Sequence, residues 1–189
     1  MKKNNACPIC KSKHVKQVSS VNDIEYLTSD IIYYYFHCLS CNIIYLFDPP
    51  VNRLDEIYPD YYYSYKGHSN SGFLRKILEK VKIIFDKRLV KKTLKKLNFN
   101  SIDCLDIGGG SGWISDILKK ADKRINSTSI IDLNENSRKI AERKDHTFIC
   151  SNIDDIQIVN KYHFVMMLNL LEHVIDPKKT LLKINQSMK

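Results

Sequence analysis

The sequence predicts an α/β doubly wound domain with a small metal-stapled module ahead of it, and three observations carry that expectation. Residues 103–115, D-C-L-D-I-G-G-G-S-G-W-I-S, read as a strand, a glycine turn and a helix. Short apolar or β-branched runs recur at 127–133, 147–150 and 162–169 with helical character between them, the alternation of a parallel sheet. Near the N-terminus, Cys7-x-x-Cys10 and Cys38-x-x-Cys41 form two matched pairs.

A chain of 189 residues with 43% hydrophobic residues holds one domain plus a small module, with enough apolar mass for a core. The opening M-K-K-N-N-A-C has no apolar h-region. No run approaches ~18 apolar residues. Neither a signal peptide nor a membrane span is expected, and the cytoplasm is the default location.

In chain order, the cysteines come first. A C-x-x-C spacing lets two thiolates of one knuckle bind the same tetrahedral Zn²⁺, and a second knuckle completes a four-cysteine site of Cys7, Cys10, Cys38 and Cys41. A redox C-x-x-C expects a thioredoxin-like setting that is absent here, and disulfides are disfavoured in the cytoplasm. With four closed ligands the zinc is structural. It supplies stability that so small a module cannot draw from apolar burial. His14 and His37 lie near the knuckles without being needed as ligands. Between the knuckles, 24–27 and 31–36 read as ribbon strands because β-branched and aromatic residues dominate them.

Tyr58, Tyr61, Tyr62, Tyr63 and Tyr65 follow, suited either to cover a bound ligand or to pack a hinge. Residues 66–72 are small and polar, a linker. Over 73–97 the spacing of Leu74, Ile77, Leu78, Val81, Ile84, Phe85 and Leu89 predicts an amphipathic helix. Its ten Lys or Arg against Glu79 and Asp86 give +8 of the chain's +9. A lysine-rich solvated face is the common reason for such a run, and nothing else in the chain supports nucleic-acid binding.

Four glycines then follow the strand at 102–107. A dinucleotide fingerprint needs its third glycine at 113, where Trp113 stands; the pattern present is Gly108-x-Gly110-x-Gly112, preceded by Asp106. The next strand ends in Asp132, about 20 residues beyond the glycines, where an acidic side chain can accept hydrogen bonds from ribose hydroxyls. Residues 134–142 are helical in character. Cys104 and Cys150 sit inside expected strands and read as small buried apolar residues. The run 162–169, Y-H-F-V-M-M-L-N, suits the buried centre of a parallel sheet, and 177–188 read as a closing helix.

Asp106 with Gly108, Gly110 and Gly112 resembles motif I of the class I S-adenosylmethionine methyltransferases. Residues 168–177, L-N-L-L-E-H-V-I-D-P, resemble the signature that follows strand four in many of them. The two knuckles, with C-N-I-I-Y-L-F-D-P-P and the Tyr-rich stretch after them, resemble a bacterial zinc-ribbon group of that family, including enzymes of sugar and cell-surface polysaccharide pathways. Asn42 stands where that pattern usually has glycine, and Asp48-Pro49-Pro50 where its prolines are usually spaced.

The resemblance implies a Rossmann-like methyltransferase domain. It places S-adenosylmethionine across Gly108, Gly110 and Gly112 with Asp132 on the ribose, Asn152 and Ile153 beside the adenine and Asn169 near the methionine end. Glu172 and His173 would act as a base or orient a small-molecule or sugar-linked acceptor. In related sugar C-methyltransferases a tyrosine stands two residues before the Glu; Leu170 takes that place here, leaving O- or N-transfer open. The expected parts are 1–50 zinc ribbon, 51–72 hinge and 73–189 basic helix with the cofactor domain. Family sheets have seven strands in the order 3-2-1-4-5-7-6, whereas four are legible here. The expectation is therefore an incomplete sheet of strands 1 to 4 in a chain that is a truncated product or half of a split enzyme and is catalytically weak or inactive alone; the alternative is that a homo-oligomer or partner chain completes the sheet. The rival expectation is an inactive S-adenosylmethionine-binding or partner subunit.

Overall fold

The computed structural model describes residues 6–24, 27–50 and 73–189, and of residues 73–80 the backbone alone. The Tyr-rich stretch and the linker to residue 72 lie outside the described residues. The chain divides into two units, residues 1–62 with 174–178 and residues 63–173 with 179–189. Among the described residues no helix is long and apolar enough to cross a membrane.

In the N-terminal unit, β1 (Val15–Val21), β2 (Tyr33–Cys38) and β3 (Ile44–Phe47) form an antiparallel sheet in the order β1-β2-β3. Val15 pairs with Cys38 and His37 with Ile44, so the sheet register brings the ends of both knuckles together. Each knuckle turns back on itself: the Lys11 amide donates to the Cys7 carbonyl at 3.0 Å and the Asn42 amide to that of Cys38 at 2.8 Å. Lys11 and Asn42 stand at φ 61° and 62° to make those turns. Glycine suits such a position best and asparagine next, so Asn42 is a fitting residue for that turn.

One expected ribbon strand is corrected. Ile24 and Leu27 lie outside any strand, residues 25 and 26 lie outside the described residues, and the strand falls at Val15–Val21 instead. Asp23 accepts from both the amide and the hydroxyl of Thr28.

The larger unit holds a parallel sheet in the order β6-β5-β4-β7, made of β4 (Ile102–Ile107), β5 (Ile125–Asp132), β6 (Thr147–Cys150) and β7 (Phe164–Met167). Helices α1 (Phe73–Leu94), α2 (Trp113–Ala121), α3 (Arg138–Arg143) and α4 (Pro177–Ser187) alternate with these strands. The class predicted from the sequence is the one observed.

Alternation along β4 sends Ile102 and Cys104 into one cluster with Val90, Leu94, Leu118 and Met166. It sends Leu105 and Ile107 into a second with Ile131, Tyr162 and Ile184. Both faces of β4 are thus packed, and Asp103 and Asp106 are the two polar residues in an otherwise apolar strand. The C-terminal end of α1 is tied down by Arg124, whose guanidinium donates to the carbonyls of Leu94, Leu97 and Phe99 at 2.9, 2.8 and 3.2 Å.

Two further expectations are corrected. Cys150 is exposed, because it is the last residue of β6 and β6 pairs with β5 alone among the described strands. Over the part of α1 whose side chains are described, the apolar stripe is not the face packed into the core. Val90 and Leu94 are buried, while Val81, Ile84, Phe85 and Leu89 are 44%, 51%, 63% and 64% exposed.

Candidate functional site

The four cysteine sulfurs of the N-terminal unit all lie within 4.8 Å of one another, with Cys7 and Cys41 at 3.6 Å and Cys10 and Cys38 at 3.5 Å. A tetrahedral Zn²⁺ with sulfur bonds of ~2.3 Å spaces its ligands at about 3.8 Å, so this cluster has the dimensions to hold one. Burial raises the Cys38 thiol, but hydrogen bonds from the Cys41 and Ser40 backbone outweigh it and hold it at about 6. His37 is engaged elsewhere, its Nε2 lying 2.7 Å from Asn42 Oδ1.

In the larger unit, strand register decides which residues share a rim. Ile107 pairs with Ile131 and with Met167, and Asp132 pairs with Cys150, so the carboxyl ends of all four strands finish together. Gly108, Asp132, Asn152 and Asn169 all leave from that rim, where ligands of open α/β sheets bind.

The glycine turn follows from backbone geometry. Gly108, Gly110 and Gly112 have φ of 73°, 50° and 78°, conformations that a side chain strains. A Cβ on Gly109 would sit 2.5 Å from Asp106 Cγ, and one on Gly112 would sit 2.6 Å from His146 Cδ2. A Cβ on Gly110 would meet nothing within 4 Å. Its amide donates to Asp132 Oδ2 at 2.9 Å, while the Asn134 amide donates to Asp132 Oδ1 at 2.8 Å. The structure therefore brings the glycine turn and Asp132 into direct contact.

The other expected site residues are placed as follows. Asp106 lies beneath the turn, 3% exposed, accepting from Ser115 Oγ at 2.9 Å. Asn152 caps a short 3₁₀ turn by accepting from the Asp154 amide at 3.0 Å, and Ile153 is buried in the second core cluster. Asn169 is exposed just beyond β7 with φ 52°. Glu172 and His173 form an exposed 3₁₀ turn with Leu171, closed by the His173 amide donating to Leu170 O at 2.9 Å.

Around the glycine turn, Lys144 and His146 have no counterpart in the sequence reading, and Leu170, noted there only as standing in place of a tyrosine, has a second role. Leu170 covers the first glycine: a Cβ on Gly108 would lie 3.1 Å from its Cδ1. Lys144 Nζ donates to the Ser111 carbonyl at 3.2 Å and pairs with Asp116 at 3.1 Å, gripping the turn from below. His146 lies 2.6 Å from Thr128 Oγ1 by Nδ1 and 3.4 Å from Asp116 by Nε2. Its burial, with Lys119 nearby, holds the imidazole below its ordinary range despite Asp116. These partners come from three separate elements, and no local motif announces them.

Burial pushes Asp106 up from 3.8 to about 6, with Ser115 pulling it down and Asp132 pushing further up. Between those values the native state binds the proton that the unfolded chain has released, so this group's contribution is fullest at low pH and is lost as pH rises through about 6. Two units correspond to about 3 kcal/mol. Asp106→Asn is expected to be more stable than the parent at pH 7.5 by up to that amount, with the gain shrinking towards pH 4. Urea midpoints at both pH values check this, and equal pH dependence in parent and variant would refute it.

A family model described as a methyltransferase domain matches residues 77–189. Among solved structures, a plantazolicin methyltransferase, BpumL, in complex with a monoazolic desmethylPZN analog and SAH is 17% identical with a TM-score of 0.50. That match covers 58% of this chain and 43% of BpumL. A protein of Methanococcus maripaludis, assigned as an S-adenosylmethionine-dependent methyltransferase, is 15% identical with a TM-score of 0.50, covering 66% of this chain and 63% of its own. This chain thus spans less than half of BpumL. These likenesses are likenesses of fold. A search among curated protein sequences finds no match.

Proposed function

The chain belongs to the methyltransferase-domain family, and from that premise we propose that it binds S-adenosylmethionine and transfers its methyl group to a small or sugar-linked acceptor. The observation that carries the reading is the contact of the Gly110 amide with Asp132 at the carboxyl rim of the sheet. The residues fit the cofactor: positive-φ glycines leave open space above Gly110, and Asp132 uses one lone pair of each oxygen on backbone amides, keeping others for hydroxyl donors. When bound, the sulfonium supplies an electrophilic methyl group.

In this reading Gly108, Gly110 and Gly112 let the ligand approach the backbone and Asp132 accepts from its ribose. Asp106 and Ser115 hold the turn from beneath, Asn152 and Ile153 border the adenine side, and Asn169 borders the methionine end. Glu172 and His173 orient the acceptor and receive its proton. Leu170 in place of a phenol favours oxygen or nitrogen as the methylated atom. The acceptor class rests on the resemblance of residues 7–65. Residues 1–50 are assigned to a zinc ribbon whose metal is structural, 51–72 to a hinge and 73–189 to the cofactor domain. The family match favours methyl transfer over a purely binding role.

Calorimetry on the zinc-loaded chain is the test. S-adenosylmethionine and S-adenosylhomocysteine are expected to bind at one site per chain. Displacement of neither by NAD is expected as well. A preference for NAD, or no heat with either sulfur compound, overturns the proposal.

A further inference from the structure

Helix α1 has two apolar faces. One, carrying Val90 and Leu94, packs into the core. The other, carrying Val81, Ile84, Phe85 and Leu89 at helical spacing, stands between 44% and 64% exposed. Four large apolar side chains on one stripe are more than a stray surface residue, and such patches mark interaction sites.

The charge around the stripe selects its occupant. At 100° per residue, Lys82 flanks one side, Lys91 flanks the other, and Arg88 and Lys92 close the C-terminal end, all four exposed. Over residues 73–97 the balance is +8. A second copy of the helix would set like charge against like charge, and a nucleic acid would satisfy the lysines while leaving Phe85 and Leu89 in water. An anionic lipid surface meets both demands, taking the apolar side chains among its acyl chains while the basic groups reach the headgroups. With this charge, α1 lies along such a surface and does not cross it. We propose that the exposed face of α1 docks this protein onto membranes bearing anionic lipid.

The test is co-sedimentation of the full chain with phosphatidylcholine vesicles, with and without phosphatidylserine. Binding is expected only with phosphatidylserine, and it weakens as salt rises because the attraction is screened. Phe85→Ser with Leu89→Ser, and separately Lys91→Glu with Lys92→Glu, are each expected to lower binding by roughly tenfold or more. Both pairs are exposed, and an unchanged circular dichroism melt confirms that each variant folds. Absence of vesicle binding by the parent overturns the proposal. So does binding that either pair leaves unchanged, or self-association in solution abolished by the serine pair without any vesicle binding.

Discussion

Cys38→Ser strips the metal from the N-terminal unit and unfolds its three strands, while the α/β unit keeps its melting transition. This is the expected result if zinc is the staple. Apolar burial cannot hold this module. Of its described residues only Cys7 and Cys38 are buried hydrophobics, whereas Val18, Val21, Ile24, Leu27, Ile31, Ile32, Leu39 and Ile44 are all exposed. Structural zinc supplies roughly 10–16 kcal/mol of apparent binding free energy in small domains, far more than so little buried surface can. Serine leaves three thiolates, and the loss of one ligand is enough to forfeit most of that free energy. Elemental analysis gives the first reading, one zinc per parent chain and little in the variant. Amide exchange over β1 to β3 gives the second. A parent purified without chelator that carries no zinc, or a variant whose strands stay protected, would sink the idea.

Asp132→Ala is expected to weaken S-adenosylmethionine by about 10- to 100-fold, since hydrogen bonds to a charged acceptor contribute roughly 1.5 to 3 kcal/mol. The residue also receives the Gly110 and Asn134 amides, so its removal frees the glycine turn as well as the ligand. Asp132→Asn separates the two effects. It keeps one neutral acceptor and most of the side chain's shape, and is expected to fall between parent and alanine variant. Calorimetry at matched pH and salt measures all three proteins. Unchanged affinity in the alanine variant means that the ligand sits elsewhere.

Much of the larger unit was legible because its signals are local. The strand, glycine turn and helix from Ile102 to Ala121 and the short strand Thr147–Cys150 each stand in a window of residues whose own pattern suffices. The exceptions have nonlocal causes. Strand β1 shows no apolar face, since six of its seven residues are exposed, and it exists through pairing with β2. In helix α1 periodicity reveals that an apolar stripe exists, not which stripe meets the core. The setting of Cys150 inside a strand predicts burial, but burial depends on whether a further strand lies beside it. At the site, the glycines, Asp106 and Asp132 were visible as a spaced pattern. Lys144 and His146 were not, and neither was the packing of Leu170 on Gly108, because each acts on a glycine or serine at least 30 positions away in sequence.

The open space above Gly110 has a consequence for how this protein tolerates change. A Cβ at Gly109 or Gly112 would press on the buried Asp106 or His146 and force them to shift, a cost that falls on the folding of the chain itself. At Gly110 the backbone conformation is one that asparagine tolerates better than other side chains, and a Cβ there meets no protein atom within 4 Å. In a genetic screen the first two positions belong among alleles that lower the amount of protein, and Gly110→Asn among those that leave the amount normal and remove its activity.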